Sequence, residues 1–383
     1  MEAFQAKPSG VASGSDNAFL RCWDRDVSSV PALSTLCFLE LQKFAQSNGY
    51  QLTIRRIENE RFQVGNHFMV DASLRKDGRS WTSFGDGSSV KEAWEKAVFE
   101  LCERFFFGLQ VEQGFQNGFS LESMGEVRLP FEPDSSNGVA CHETPKKAVI
   151  SAILELIERD AFMCHWLTSK PMTPLDIEHY PDFGGFVEIA RQEKLRFLLY
   201  QLDAFGSIPV VVAAVWSEKS DPSSFCMGSG AGLTLGEAAR KAMMEMIRLL
   251  RFSQSSYLQR SSQDQVSLEQ PMGRFFFYQR RENFNLIRDF FDLVSVQGER
   301  SGSDTSPSMT PGQILDLGSR LGAVVYPING IPSLREKLFT CAVETPNLQG
   351  ISFRTSIEVN KARLEPFMRG KEFVLNQQPH PFA

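Results

Sequence analysis

The feature that most limits what this chain can become is one helical pattern written three times. Ser89, Ala93, Ala97, Glu100, Glu103 and Arg104 form the first copy; Thr144, Ala148, Ala152, Glu155, Glu158 and Arg159 the second; Thr234, Ala238, Ala242, Glu245 and Arg248 the third. In each, a hydroxyl residue precedes the first alanine by four, a second alanine follows four later, and a glutamate three after that. Ser89 with Glu92, and Thr234 with Glu237, make the S/T-x-x-E signal of a capped helix start. Thr144 is followed by Pro145, whose missing N–H costs nothing in the first turn. At ~100° per residue, the alanines, the first glutamate and the arginine share one narrow stripe, with the second glutamate to its side.

A single copy reads more simply as an exposed face carrying i,i+4 ion pairs. Three copies read differently, because the glutamates share their stripe with alanines, which belong against a packed surface. Buried carboxylates need cations or donors. Glu100, Glu103, Glu155, Glu158 and Glu245 are therefore expected to face a shared space holding a hard cation. Oxygen ligands of this kind select magnesium, which commonly bridges carboxylates to phosphate oxygens. Arg104 and Arg159 are forked donors suited to phosphate. A soluble enzyme that uses a magnesium nucleotide is the expectation.

Segments with Gly85-Asp86-Gly87-Ser88, Asn137-Gly138 and Gly228-Ser229-Gly230-Ala231-Gly232 precede the three helices and read as turns. Glycine permits close backbone approach, and helix starts attract anions, although ordinary turns are the simpler reading of each alone. Neither a P-loop nor a dinucleotide fingerprint is present.

The rest of the chain supplies core and strands. An apolar fraction of 42% with 32 phenylalanines in 383 residues argues against global disorder. The net charge of −6, with no long basic run, argues against nucleic acid as the main partner. Seven scattered cysteines with no CxxC pair suggest neither a zinc clip nor a disulfide framework, and fit a reducing cytoplasm. The first 16 residues lack a secretory pattern, and no run of ~18 apolar residues spans a membrane. Helical spacing runs over Ser34–Ser47, and strands are expected at Leu52–Arg56, His67–Leu74, Leu195–Leu202, Ile208–Val215, Ala323–Pro327 and Phe339–Val343. A further helix is expected near Gly312–Leu321, after an exposed loop over Gln297–Gly312. His67, His142, His165 and His179 show no ligand spacing, and His380 is a candidate proton carrier by its ordinary pKa alone.

At these residues the chain resembles the YcaO family. Gly85-Asp86-Gly87-Ser88-Ser89 followed by Ala97, Glu100, Glu103 and Arg104 is similar to that family's glycine turn and SAxxExxER helix, with Lys96 in place of the usual serine. Ser136-Asn137-Gly138 with Glu155, Glu158, Arg159, Asp160 and Ala161 resembles its NG-x-A…ExxERDA segment. Gly230, Ala238, Ala242 and Glu245 resemble its third helix, with Arg248 where a glutamine is common. Leu202-Asp203…Ile208-Pro209-Val210 matches a further landmark.

The resemblance implies an α+β fold, a layered domain whose acidic helices pack on mixed or antiparallel sheet. Residues 1–60 would be an arm and helix for partner or substrate contacts, and residues 61–383 the catalytic domain. ATP and Mg2+ are the implied cofactors. Glu100, Glu103, Glu155, Glu158 and Glu245 would hold the metal, and these same acids with Ser88, Arg104, Asn137, Arg159 and Arg248 would contact the nucleotide. The implied activity is activation of a peptide backbone amide. In azoline-forming cyclodehydratases a substrate Cys, Ser or Thr attacks the preceding carbonyl; thioamide-forming members use an external sulfur donor instead. The former tend to end in a P-x-P-x-P tail at the active site. Here Pro379 and Pro381 keep two of the prolines and Ala383 stands where the third belongs, which favours cyclodehydration. A ribosomal precursor peptide, a leader-binding partner protein and a homo-oligomer or hetero-complex are the implied partners. A non-catalytic docking scaffold is the remaining alternative.

Overall fold

The computed structural model describes residues 23, 33–57, 68–87, 89–115, 117–128, 131, 133, 135–217, 225–253, 267–295, 308–353, 359–368 and 375–382. The chain runs α1 (Leu33–Asn48), β1 (Gln51–Ile57), β2 (Phe68–Lys76), β3 (Arg79–Gly87), α2 (Val90–Gln113), β4 (Gly118–Ser120), β5 (Glu126–Val127), β6 (Val139–His142) and α3 (Pro145–Thr168). It continues with β7 (Thr173–Pro174), α4 (Gly184–Gln192), β8 (Leu195–Leu202), β9 (Val210–Ser217), β10 (Cys226–Ala231), α5 (Leu235–Ser253), α6 (Pro271–Gln279) and α7 (Arg281–Val294). α8 (Pro311–Arg320), β11 (Val324–Ile328), β12 (Phe339–Glu344) and α9 (Lys361–Met368) complete it. Periodicity places the elements well: the helix expected over 34–47 spans 33–48, and the strand expected over 195–202 spans those residues. Most of the loop expected over Gln297–Gly312 lies outside the described residues, and α8 starts at Pro311.

The helices are layered on three antiparallel sheets, ordered β1-β2-β3, β10-β9-β8-β7 and β5-β4-β11-β12-β6. β3, β6 and β10 each stand at a sheet edge and each feed directly into a helix of the repeated pattern, α2, α3 and α5 respectively. β9 is buried along its whole length, and its alternation shows why. Val210, Val212, Ala214 and Trp216 join the core around α3 and α7, whereas Val211, Ala213 and Val215 join the core under α5. α3 is apolar on nearly every side and buries most of its residues. β1 pairs with β2 from Gln51↔Arg75 to Ile57↔Met69, and α1 buries Cys37 and Leu41 in the core shared with α2. Residues 33–57 thus share a sheet and a core with β2, β3 and α2, whereas Trp23 packs on Phe119 in the core around α3.

Two of the three glycine segments are strands rather than turns. Gly85 and Gly87 lie in β3, and Gly228 and Gly230 in β10. A Cβ on Gly85 would run into Ala93 O and Ala97 N, and one on Gly230 into Ala238 O and Ala242 N. Strand glycines and helix alanines therefore interlock at backbone distance, which is the packing reason for the alanine repeat. Asn137-Gly138 is a turn, with Gly138 at φ 73°.

Candidate functional site

The three helix starts are capped as their sequences predict: Ser89 Oγ accepts from Glu92 N, Thr144 Oγ1 from Lys147 N and Thr234 Oγ1 from Glu237 N. Three turns on, the first glutamate of each helix reaches back to the strand it came from. Glu100 accepts from Phe84 N at 3.0 Å, Glu155 from Gly138 N at 3.1 Å and Glu245 from Ser229 N at 2.8 Å. The second glutamates cross to the next unit. Glu103 faces the backbone of Cys141 in β6, whose N–H favours its charged form. Glu158 accepts from Ser229 Oγ at 2.5 Å and Ala231 N at 2.9 Å, both in β10. Arg248 holds the equivalent position in the third helix and closes the circuit, with its guanidinium carbon 5.9 Å from the Phe84 ring in β3. Three strand edges and three helices thus make a ring of junctions, two closed by an acid and one by a base.

Burial sets the electrostatics. It is the main cause that pushes the Glu103 carboxyl well above the usual range, with Glu155 and then Glu100 adding to it. Glu155 is raised to about 7, chiefly by burial and partly offset by Arg159. Its side chain keeps 29% of its surface exposed, so an ion or a water can reach it. Glu245 is raised by burial against the pull of Arg159 and Arg248. Arg104 gives two donors to Glu100, at 3.0 and 2.7 Å. Arg159 is held loosely: NH1 lies 3.3 Å from Ser229 Oγ and 3.4 Å from Glu158, NH2 lies 3.8 Å from Glu155, and Nε has no partner. Arg248 lies 3.7 Å from Glu245.

These residues fit a magnesium nucleotide. Five acids face three guanidinium groups, and three of the acids hold protons more tightly than usual, a state that a hard cation relieves by replacing the protons. Arg159 keeps an unused donor for an oxyanion. Among the described residues no three acid, histidine or cysteine side chains converge closely enough to hold an ion by themselves. An ion in the ring would complete its shell with phosphate oxygens or water, as magnesium commonly does.

Asn137 directly precedes Gly138, whose N–H holds Glu155, and its own side chain donates to Ser135 Oγ at 2.6 Å. Ser88 and Ala383 lie outside the described residues. The tail reaches the ring. Tyr278 donates its hydroxyl to the Pro379 carbonyl, Trp166 Nε1 donates to Gln378 O at 3.1 Å, and Pro381 is buried. Phe382 stacks edge-on against Phe162 at 4.5 Å, and the Arg159 guanidinium lies 4.2 Å from its ring. His380 is no proton carrier near neutral pH: burial, then Arg274, pushes it down to about 3, so the ring is neutral.

Sequence reading missed the strand amides that the glutamates use, and it missed the anchor of Asp160. That carboxylate is fully buried and takes two arms of Arg363, at 2.6 to 3.0 Å, plus Gln349 N at 2.7 Å. Asp160 directly follows the repeated motif, but nothing local marks Arg363 as its partner.

The YcaO family model, described as a YcaO cyclodehydratase that binds ATP and Mg2+, matches residues 115–310, about half of the chain. No curated protein sequence matches. Among solved structures, a heterocyclase in complex with substrate and cofactor is 15% identical with a TM-score of 0.67, over 90% of this chain and 57% of that one. YcaO from Methanopyrus kandleri, bound with AMPPCP and Mg2+, is 15% identical with a TM-score of 0.58, over 82% and 89% of the two chains. The E. coli microcin synthetase McbBCD complex with pro-MccB17 bound gives 12% and 0.61, over 87% and 96%. At such identities the likeness is one of fold, and this chain spans little more than half the length of the heterocyclase. Fold, motif order and family model agree: the chain belongs to the YcaO family, with ATP and Mg2+ as its cofactors.

Proposed function

We propose that this chain is an ATP-dependent cyclodehydratase acting on a ribosomal precursor peptide, converting Cys, Ser or Thr and the preceding backbone amide into an azoline ring. The observation that carries the reading is the seating of Phe382, in the segment Pro379–Phe382, on Arg159, which puts that segment against the acid ring. Glu100, Glu103, Glu155, Glu158 and Glu245 hold magnesium. Arg104, Arg159, Arg248, Asn137 and Ser88 orient the nucleotide, while Pro379, Pro381 and Ala383 border the reacting peptide. When bound, magnesium ATP supplies the phosphoryl group that makes the amide oxygen a leaving group. The chain's own part is to hold the phosphates in line and to exclude water from the amide. McbBCD, a complex carrying pro-MccB17, supports a precursor peptide and a partner protein here too.

Replacing Glu155 by Gln tests the reading. It removes one magnesium ligand while the Gly138 N–H keeps an oxygen acceptor, so magnesium-dependent ATP turnover should be lost with the melting temperature nearly unchanged. Retained turnover would sink the metal assignment. The mass of the peptide product separates the chemistries: ring closure loses one water, whereas thioamidation gains the oxygen-to-sulfur difference.

A further inference from the structure

We propose that Arg274 and the start of α6 form a second oxyanion seat, outside the acid ring and beside the tail, for a carboxylate or phosphate. The seat rests on the reading that the tail borders the peptide substrate. Arg274 is only 3% exposed, and its NH1 has no hydrogen-bond partner. Its Nε donates to Leu268 O at 2.8 Å, which turns the side chain back over the start of its own helix. The other face of the guanidinium lies 4.8 Å from the Phe353 ring. No carboxylate among the described residues pairs with it.

A buried cation without an anion is costly, and such groups are normally paired. Burial is indeed what lowers the Arg274 guanidinium to about 10, with Tyr278 the one group that opposes it. The helix beneath adds to the same need. α6 has nine residues, no side chain caps it at Gln270, and Pro271 fills its first position. The positive end of its dipole therefore lies beside the Arg274 fork, and among the described residues no carboxylate pairs with that fork. Tyr278, one turn further along, holds the Pro379 carbonyl, and His380 packs on the same Phe353 ring at 5.0 Å. An oxyanion at Arg274 thus sits next to the tail, where an acidic side chain of the peptide or the phosphate set free by turnover would lie.

The test follows thermal unfolding of the full chain at constant ionic strength, titrated with sodium phosphate and, separately, with sodium acetate. The expected result is a saturable rise in melting temperature that Arg274→Met removes and Arg159→Met retains. A rise with phosphate alone identifies inorganic phosphate as the occupant; a rise with acetate as well identifies a carboxylate. No saturable rise in the unaltered protein overturns the seat, as does a rise that Arg274→Met leaves intact. Loss of the rise in Arg159→Met instead places the anion in the acid ring and also overturns it. Should Arg274→Met not fold, Arg274→Lys keeps the charge and loses the fork, and its apparent Kd should be at least about tenfold weaker; an unchanged Kd counts against the seat. Glu155→Gln should keep the anion-dependent rise while losing ATP turnover, so the two readings fail separately.

Discussion

Arg159 is held by an aromatic ring as well as by its acids. Its polar contacts run from 3.3 to 3.8 Å and its Nε is unused, while Phe382 covers the guanidinium at 4.2 Å. A cation over an aromatic face contributes ~0.5–2 kcal/mol, depending on how dry the site is. Phe382→Leu keeps an apolar side chain against Phe162 but removes that face. The KM for ATP should rise by about 3- to 30-fold, in line with that energy, with little loss of melting temperature; an unchanged KM would dissociate the tail from Arg159. The acids and arginines of the ring were legible in the sequence because helical geometry puts Glu100, Glu155, Glu245, Arg104 and Arg159 on one stripe, with Glu103, Glu158 and Arg248 beside it. Phe382 and the amides of Phe84, Ser229 and Ala231 were not. Their roles depend on which strand edges face the helices, and that is decided by contacts far apart in the chain.

The interlock of strand glycine and helix alanine is the element-scale counterpart. Helices and strands with side-chain periodicity could be located from the sequence, but Gly85–Gly87 and Gly228–Gly230 read as turns because glycines carry no alternation. Their strand character comes from the helices they touch. Gly230→Ala should separate β10 from α5, since the added methyl meets Ala238 O and Ala242 N. Overpacking of this kind costs about 1–3 kcal/mol, so the urea midpoint should fall. Gly236, inside α5, has nothing within 4 Å of an added Cβ. Gly236→Ala should raise the midpoint, by roughly 0.5–1 kcal/mol of stability. Equal effects at the two positions would remove the interlock as the reason for the repeat.

For the whole molecule, the same ring that gathers acids is locked from behind by groups that must stay in one protonation state. His165 is fully buried on α3; its Nδ1 lies 3.0 Å from Lys170 O and its Nε2 accepts from Asp203 N at 3.0 Å. The ring therefore donates through Nδ1 and must be neutral at Nε2, since a proton there would face an N–H. Burial is the chief cause that holds its pKa down at about 4. This lock joins α3 to the loop after β8, and the landmark Leu202-Asp203 in the sequence marks one end of it without revealing the other. The unfolded chain takes up the proton near 6.5, the folded chain only near 4, so stability is full above about 6.5 and falls as the pH drops through that window. Each such proton contributes a slope of about 1.4 kcal/mol per pH unit. His380, held down to about 3, pulls the same way, while Glu155, raised to about 7, takes up a proton in the folded state and opposes both. A variant that removes only the histidine term isolates it. His165→Gln cannot titrate, so between pH 6.5 and 4 its urea midpoint should fall less steeply than that of the unaltered protein, by up to one proton's worth of slope. Parallel curves for the two proteins would mean that His165 is protonated in the folded chain and that the lock behind the ring is not the one described.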